Sequence, residues 1–369
     1  MTGRLTVLGV GIGGGEIPMP DEAREAQVLA GGRELLDRAS WFEGERLPIA
    51  APLAAWIAAV GERLKAGRNV LVLADGDPLF FGIGPRLKDR FPEAVFRPGP
   101  TCLQEAAARL GLPWAGVPTV SLHGRSDWSP LWAAMTHHPW VGLYTDKMSA
   151  PAQVAARALE RGVTGWRMHV FARLNASNEG RACVELAQAT GLELPGPWFI
   201  LLERTMEPPC RLVPGLRDKD IVSRGRPMTK APVRAVGLAR LRLGPEDTVW
   251  DLGAGCGSVS LEASAILPRG RVMAVERDPG RAAIIAENRA RFGAWMMEVV
   301  QAEASGVLKE LSVPDAVFVG GGIRTPGLLE GVVQALRPGG RVVVHAVLLE
   351  SMHTAMRILT GLGLEPELL

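Results

Sequence analysis

Short runs of apolar residues alternate along the chain with longer stretches whose apolar positions recur every three or four residues. The runs are typical of buried strands and the stretches of amphipathic helices, so the pattern predicts an α/β fold with parallel sheets. Nine strands are predicted, namely Leu5–Val10, Val70–Leu73, Val141–Tyr144, Met168–Phe171, Trp198–Leu202, Val249–Leu252, Val272–Val275, Ala316–Val319 and Arg341–Val344.

One glycine motif carries most of the chemical information. The predicted strand Val249–Leu252 runs into a loop with Gly253, Gly255 and Gly257, and the next predicted strand is followed by Glu276. Glycines after a strand let the backbone approach a ligand, and the start of the following helix favours electron-rich groups. A carboxylate after the next strand can accept ribose hydroxyls. The motif therefore predicts a nucleoside-like cofactor at the carboxyl edge of a parallel sheet.

The identity of that nucleoside depends on Asp251, which precedes the glycines and which we expect to face the same pocket. A carboxylate there would repel a pyrophosphate, but it suits the amino and sulfonium groups of S-adenosylmethionine. The motif with Glu276 resembles the class I methyltransferase signature. A dinucleotide-dependent dehydrogenase and a glycine-rich turn without a ligand are the alternatives.

Composition narrows the class of protein further. A length of 369 residues predicts two or three domains, and a net charge of +2 without basic clusters gives no electrostatic footprint for nucleic acid. A methyltransferase that acts on RNA is a further alternative, and the absence of such a footprint makes it weaker than a methyltransferase that acts on a small molecule. The four cysteines are far apart and indicate neither a zinc site nor a disulfide scaffold. No signal peptide or membrane span is evident, so we expect a cytoplasmic enzyme without a metal.

The N-terminal half contains four further motifs in a specific order. They are the glycine loop Val7–Gly15, the turn Asp75–Gly82, the segment Pro98–Thr101 and the segment Ser121–Arg125. Together they resemble the two-lobed tetrapyrrole (corrin/porphyrin) methylase family, in its precorrin-6Y C(5)-methylating branch.

The C-terminal half resembles the partner C(15)-methyltransferase and decarboxylase, through Met228–Lys230, Trp250–Val259 and Pro314–Gly322. The fused order resembles the bifunctional precorrin-6Y C(5,15)-methyltransferase (decarboxylating) family of cobalamin biosynthesis. That resemblance implies methylation at carbons 5 and 15, loss of the carboxyl group of the ring C acetate, and precorrin-8X as product. It also implies one S-adenosylmethionine per domain and a small-molecule tetrapyrrole as partner. We expect a homo-oligomer.

The domain organisation follows from the same motifs. We predict a tetrapyrrole methylase domain over residues 1–207, with lobes at about 1–108 and 109–207. A proline- and charge-rich linker is predicted over 208–227. A Rossmann-like class I methyltransferase domain is predicted over 228–369, with its closing C-terminal hairpin missing.

Candidate site residues follow from the motifs and the resemblance. The N-terminal cofactor would contact Gly9, Gly11, Gly13, Asp77, Pro78 and Thr101. The C-terminal cofactor would contact Asp251, Gly253, Ala254, Gly255, Gly257, Glu276, Glu303, Gly320 and Gly321. Candidate substrate-binding residues are Arg125 and Arg324, and candidate catalytic residues are Lys230, Arg234, His345 and His123.

Three positions depart from the pattern of the family. Pro232 stands where an acid is usual, Ala172 replaces an expected glutamate, and His345 replaces an asparagine. A tetrapyrrole-binding protein that has lost one activity is therefore a further alternative. Because proline carries no charge and no backbone donor, we expect slow decarboxylation if that acid matters.

Overall fold

The computed structural model describes residues 3–369, which form three five-stranded sheets in succession. The first sheet is wholly parallel, with strand order β3-β2-β4-β1-β5. Its strands are β1 (Leu5–Gly9), β2 (Val28–Gly31), β3 (Glu45–Pro48), β4 (Val70–Ala74) and β5 (Val95–Arg97). Its helices are α1 (Arg33–Arg38), α2 (Leu53–Lys65), α3 (Gly84–Arg90) and α4 (Cys102–Leu110).

The second sheet has the order β6-β7-β10-β8-β9 and is antiparallel except for the β6–β7 pair. Its strands are β6 (Thr119–Ser121), β7 (Trp140–Tyr144), β8 (Trp166–Ala172), β9 (Gly180–Glu185) and β10 (Trp198–Arg204). Its helices are α5 (Ser129–His137), α6 (Pro151–Glu160) and α7 (Leu186–Ala189).

The third sheet is wholly parallel, with order β13-β12-β11-β14-β15. Its strands are β11 (Thr248–Leu252), β12 (Arg271–Glu276), β13 (Met297–Gln301), β14 (Ala316–Val319) and β15 (Arg341–Val344). Its helices are α8 (Ala231–Leu241), α9 (Ser258–Ile266), α10 (Pro279–Phe292), α11 (Ala304–Val307), α12 (Leu328–Ala335) and α13 (Leu349–Gly361). The strand order reverses beside the central β11, and ligands of such sheets bind at the carboxyl ends of the strands there.

The predicted α/β class is confirmed, with parallel strands in the first and third sheets but mainly antiparallel strands in the second. Each of the nine predicted strands coincides with a strand of the structure. Most of the strands that the pattern missed lie at sheet edges and lack a long apolar run, whereas the missed strand β2 is internal and fully buried. Strand β3 is only partly buried, β5 has three residues, and β9 alternates between half-buried and exposed positions with Arg181 and Glu185 pointing outward. Such strands at sheet edges carry little hydrophobic signal.

The second sheet and the third are joined through helix α5. This helix is buried along most of its length and shares one hydrophobic core with the C-terminal half. The Thr136 hydroxyl accepts a hydrogen bond from the Met296 N–H at 2.9 Å, and the His137 ring lies 3.0 Å from the Leu267 carbonyl oxygen. Arg161 donates to the Trp295 carbonyl at 2.6 Å. The two halves therefore meet through a packed interface.

The segment 208–227, predicted to be a linker, is packed against the C-terminal half. Leu216 and Ile221 are buried, and the N–H groups of Gly215 and Leu216 donate to the Glu262 carboxylate at 3.0 and 3.1 Å. The segment is therefore a connection that is packed against the C-terminal half (the clamped connection) and not an exposed flexible linker, because apolar side chains within the proline-rich stretch reach the core. The domain boundaries themselves stay a prediction.

Candidate active sites

A cleft of about 1820 Å³ opens between the first sheet and the second. Its walls come from loops at the ends of strands in both sheets. Gly13, Asp77 and Phe81 lie on the first wall, and His123 and Tyr144 on the second. Three of the four N-terminal motifs, namely the glycine loop, the Asp75–Gly82 turn and the Ser121–Arg125 segment, thus contribute residues to a single cavity, whereas Pro98–Thr101 does not line it.

The first glycine loop follows β1 and is shaped by close contacts. A side chain at Gly9 would lie 2.0 Å from the Gly76 carbonyl oxygen, so only glycine fits there. Gly11 has a φ of +80°, and its Cβ position has open space up to Pro100 at 3.8 Å. Gly13 abuts Asn175 in the loop between β8 and β9, whose side-chain amide donates to the Ile12 carbonyl at 3.1 Å. The loop is therefore held against the opposite wall.

The Gly-Asp-Pro turn forms the floor beside this loop. Asp77 lines the cleft and accepts a hydrogen bond from the Leu79 N–H at 2.9 Å, while Pro78 is buried beneath it. The structure corrects the prediction that Thr101 binds the cofactor. Its buried hydroxyl caps helix α4 and accepts from the Gln104 N–H at 3.3 Å. The neighbouring Cys102 lines the cleft instead, and burial raises the pKa of its thiol to about 11.

His123 and Arg125 project from an exposed turn on the second wall of the cleft. The turn is closed by the Arg125 N–H, which donates to the Leu122 carbonyl at 3.0 Å, and Gly124 has a φ of +65°. Asp146 accepts a hydrogen bond from the Gly124 N–H at 2.7 Å. That bond is the largest cause of the lowered pKa of Asp146. The carboxylate therefore fixes the turn that presents both candidates.

Sequence reasoning missed an aromatic group in the cleft. The Phe81 ring lies 4.8 Å from that of Phe80 and 5.7 Å from that of Tyr144. Tyr144 also packs edge-on against Phe199 at 4.9 Å, and burial raises the pKa of its hydroxyl. Tyr144 is the only tyrosine of the chain, which is the one sequence signal that could have drawn attention to it.

The second glycine loop joins β11 to α9 and repeats the logic of the first. Gly253, Gly255 and Gly257 have φ values of +71°, +64° and +79°. A Cβ at Gly253 would lie 2.8 Å from the Gly321 backbone, so the loop and the Gly320–Gly321 turn after β14 touch. The Ala254 N–H donates to the Val275 carbonyl at 3.0 Å. The predicted glycines therefore come together at the carboxyl edge.

Glu276, at the end of β12, lies directly beside this loop. One carboxylate oxygen accepts from the Gly255 N–H at 2.9 Å and the other from the Asp278 N–H at 3.0 Å. The side chain is almost buried. Each oxygen keeps a further lone pair, so the pre-oriented carboxylate can still accept a ligand hydroxyl.

The structure also corrects the prediction that Asp251 faces the cofactor. Its side chain is 1% exposed and accepts two hydrogen bonds from Ser260, from the hydroxyl at 2.6 Å and from the N–H at 3.1 Å. Burial raises the pKa of this carboxyl group to about 6. It therefore supports the glycine loop from below and is not open to a ligand, because the start of α9 covers it.

The remaining C-terminal candidates lie around the same edge of the sheet. Glu303 follows β13, is exposed, and pairs with Arg277 at 3.2 Å. His345 follows β15, with its ring tilted against Phe318 at 6.3 Å, and Arg324 is exposed in the loop after β14. All three can be reached from solvent, and the carboxyl ends of β13, β14 and β15 place them there.

The third prediction that the structure corrects is a catalytic role for Arg234. Its side chain is completely buried and pairs with Glu262 at 2.9 Å and Asp218 at 2.7 Å. It also donates to the Leu216 carbonyl at 2.5 Å, so its guanidinium holds the connecting segment and cannot contact a substrate. Lys230, in contrast, is mostly exposed before α8, 3.9 Å from Asp218.

Both glycine loops fit S-adenosylmethionine. At Gly11 and Gly255 the position of an added Cβ is open to 3.8 and 3.9 Å, so each loop has a face that a ligand can approach. The Glu276 carboxylate lies next to the second loop, where it can accept a hydrogen bond from a ligand hydroxyl. Within residues 3–369, no group of three His, Cys, Asp or Glu side chains is arranged to hold a metal ion. No helix of that range is long and apolar enough to cross a bilayer.

Comparisons with known proteins match both halves. Residues 22–188 match the tetrapyrrole (corrin/porphyrin) methylases, and residues 220–366 match the precorrin methyltransferase domain. The precorrin-6Y C(5,15)-methyltransferase (decarboxylating) of Sinorhizobium sp is 34% identical over 356 residues, which cover 93% of this chain and 84% of that protein. The probable cobalt-precorrin-6B C(15)-methyltransferase (decarboxylating) of Sulfolobus acidocaldarius is 35% identical over 160 residues, 42% of this chain and 83% of that one.

A solved structure is similar to part of the chain. The crystal structure of precorrin-6Y C5,15-methyltransferase from Geobacter metallireducens GS-15 is 37% identical and covers 40% of this chain and 79% of that one, with a TM-score of 0.39.

The fold and the two matches define a methyltransferase in which a tetrapyrrole methylase unit precedes a precorrin methyltransferase unit. The chain belongs to the family of precorrin-6Y C(5,15)-methyltransferases (decarboxylating). The resemblance seen in the sequence motifs is thereby confirmed. Neither match favours a dehydrogenase or an RNA methyltransferase.

Proposed function

We propose that this chain methylates precorrin-6Y at carbons 5 and 15 and decarboxylates the ring C acetate, giving precorrin-8X in cobalamin biosynthesis. The observation that carries the proposal is the presence of two separate glycine loops, each after a strand of its own parallel sheet. A chain with one methylation site would need only one. The similarity to a protein named for both methylations covers 93% of the chain.

The N-terminal cleft is assigned to carbon 5. Gly11, Gly13 and Asp77 would hold one S-adenosylmethionine, and the aromatic group around Phe81 and Tyr144 offers a face for the flat macrocycle. Precorrins carry many carboxylates, and arginine guanidinium groups bind carboxylates through paired hydrogen bonds. The cleft supplies them through Arg86, Arg125 and Arg173.

The C-terminal edge is assigned to carbon 15. The loop Gly253–Gly257 would hold the methionine end of a second S-adenosylmethionine, Glu276 the ribose, and Glu303 the adenine edge. The Gly320–Gly321 turn would form the floor beside them. The cofactor supplies an already activated methyl group, so the protein contributes mainly alignment and exclusion of water. That division fits a site with many glycines and few acid–base pairs.

Decarboxylation needs an electron sink and a proton donor. The conjugated imine system of the substrate can serve as the sink, so no further cofactor is required. His345 and Arg324 lie at the carboxyl edge of the third sheet and are the accessible candidates for protonation and carboxylate binding, with Lys230 at the start of α8 as a further one. Pro232 lies exposed in the first turn of α8, where a missing N–H costs no helical hydrogen bond.

The proposal extends to the domain organisation. Residues 1–207 would form the carbon 5 unit and residues 228–369 a Rossmann-like class I methyltransferase unit. The third sheet supports that assignment through its parallel strands and its central β11. One cofactor would bind per unit.

In the decisive experiment the full chain is incubated with precorrin-6Y and methyl-labelled S-adenosylmethionine, and the mass of the product is measured by mass spectrometry. We expect two methyl groups gained and one carbon dioxide lost. In a Glu276→Gln variant the product should carry one methyl group, at carbon 5, and keep its acetate. An Asp77→Asn variant serves as the matched control for the other cleft. A wild-type product with neither methyl group would refute the proposal.

A further inference from the structure

We propose that Arg271, in the C-terminal half, is a positioning residue for the N-terminal active site. It holds the His123–Arg125 turn in place through Asp127 and the start of helix α5. The inference rests on the proposed function, because it takes that turn to face the substrate in the N-terminal cleft.

The contacts of Arg271 cross between the two halves. One terminal nitrogen of its guanidinium lies 2.7 Å from the Asp127 carboxylate and 2.6 Å from the Ser129 hydroxyl. The other donates to the Ser312 hydroxyl at 2.8 Å, within the C-terminal half. Asp127 in turn accepts from the Ser129 N–H at 3.0 Å. The planar guanidinium therefore ties the first turn of α5 to the third sheet.

The turn that carries the candidate residues has few other supports. Residues 123–127 are all exposed, so packing does not hold their side chains. On one side the Gly124 N–H is bound by Asp146, inside the N-terminal half. On the other side the next side-chain anchor along the chain is Asp127, two residues after Arg125, and its partner is Arg271. The turn thus lies between the buried residues Leu122 and Trp128, and the two carboxylates that hold its exposed part, Asp146 and Asp127, are fixed from within the N-terminal half and by Arg271 of the C-terminal half, respectively.

The position of Arg271 separates this role from the C-terminal chemistry. It is the first residue of β12, whereas Glu276 is the last residue of the same strand. The two residues therefore lie at opposite ends of β12, Arg271 at the amino end and Glu276 at the carboxyl end. A change at Arg271 should leave the second glycine loop intact.

The ion pair is too exposed for a large role in stability. The Arg271 side chain is 27% exposed and that of Asp127 53%. Pairs of that kind contribute little to the free energy of unfolding, because water competes for both charges. Alignment is more sensitive, since a displacement of about 1 Å at a reacting group can reduce a rate on the order of a hundredfold. Loss of the brace should therefore reduce the rate without unfolding the protein.

The test uses Arg271→Met in the full chain, which keeps the aliphatic stem and removes the guanidinium. Arg269→Met is the matched control, because Arg269 pairs with Glu246 on the surface two residues earlier. We expect kcat for carbon 5 methylation to fall about tenfold in Arg271→Met, with little change in the melting temperature. Methylation at carbon 15, assayed with substrate already methylated at carbon 5, should be unchanged, and the control should behave as wild type.

Two further measurements complete the test. Asp127→Asn should reduce carbon 5 methylation similarly, and the double variant should be no slower than the slower single variant, because both remove one contact. Hydrogen exchange of residues 122–127 should be faster in Arg271→Met than in Arg269→Met. Unchanged carbon 5 kinetics in Arg271→Met, with an active wild type, would overturn the inference. If the wild type itself fails at carbon 5, the proposed function has failed, and unchanged exchange in the turn would then refute the brace independently.

Discussion

At the scale of single residues, Phe81 combines an unfavourable backbone with an exposed ring. Its φ is +58°, in the left-handed region that bulky side chains avoid, and the side chain lies open in the N-terminal cleft. Such a conformation costs about 1–3 kcal/mol and persists where the surrounding structure enforces it, often at functional sites. We infer that the ring is presented to the macrocycle at the expense of stability.

The corresponding variant is Phe81→Gly. It should raise the free energy of unfolding or leave it unchanged, because glycine adopts this φ without strain. It should also raise the KM for precorrin-6Y at carbon 5, since the stacking face is lost. Chemical denaturation and steady-state kinetics measure the two effects. A Phe81→Tyr variant, which keeps a ring, is the control, and an unchanged KM in Phe81→Gly would contradict the assignment.

Asp251 gives a prediction for pH. Burial raises its pKa from 3.8 to about 6, so the folded state binds this proton more tightly than the unfolded state. Its contribution to stability is therefore complete below pH 4 and is lost as pH rises through 6. A difference of about two pH units corresponds to about 3 kcal/mol. Asp251→Asn does not titrate, so the wild type should lose about that much stability relative to the variant between pH 4 and 7, measured by urea unfolding. Parallel pH profiles would show that the carboxyl group is not buried as described.

At the scale of elements, the connecting segment is held by a buried ion network. Arg234 on α8 and Glu262 on α9 pair at 2.9 Å, both nearly inaccessible to water, and Glu262 also receives two N–H groups of the segment. Arginine in a motif near a substrate-binding domain suggests catalysis when only the sequence is known. The pattern did not reveal that this position faces the core, because its partners lie 16 and 28 residues away.

Breaking this network should be costly. Arg234→Met leaves the Glu262 carboxylate buried without its counter-ion, and such a loss destabilises a protein by about 3–5 kcal/mol. Lys230→Met, four residues earlier and exposed, is the matched control and should change stability by less than about 0.5 kcal/mol. Urea unfolding provides the comparison. If the folded fraction of Arg234→Met methylates carbon 15 normally, the structural role is separated from a catalytic one.

At the scale of the whole molecule, the sequence predicted what depends on local constraints. The glycine loops were predictable because close approach and positive φ values demand glycine at Gly9, Gly253 and Gly257. Tyr144 and Asn175 were not, because they reach the cleft only when the second sheet folds against the first. The interface around α5 was not predicted either, because the apolar positions of a helix do not show which part of the chain covers them.

The interface predicts that the halves stabilise each other. Residues 208–369 expressed alone would lose the contacts that the buried residues Trp295 and Met296 make with Arg161 and Thr136 across the interface. We expect this fragment to melt at least roughly 5 °C below the C-terminal transition of the full chain. Differential scanning calorimetry of both proteins measures it. Equal melting temperatures would mean that the interface contributes little.

The clamped connection also bears on how the intermediate travels. With Leu216 and Glu262 fastening residues 208–227 to the C-terminal half, the segment offers no swinging arm that could carry a tetrapyrrole from one cleft to the other. We therefore expect the once-methylated intermediate to dissociate and to reach the second site by diffusion. Unlabelled intermediate added during turnover should then dilute the label in the final product, and an undiluted label would show that the intermediate is transferred directly.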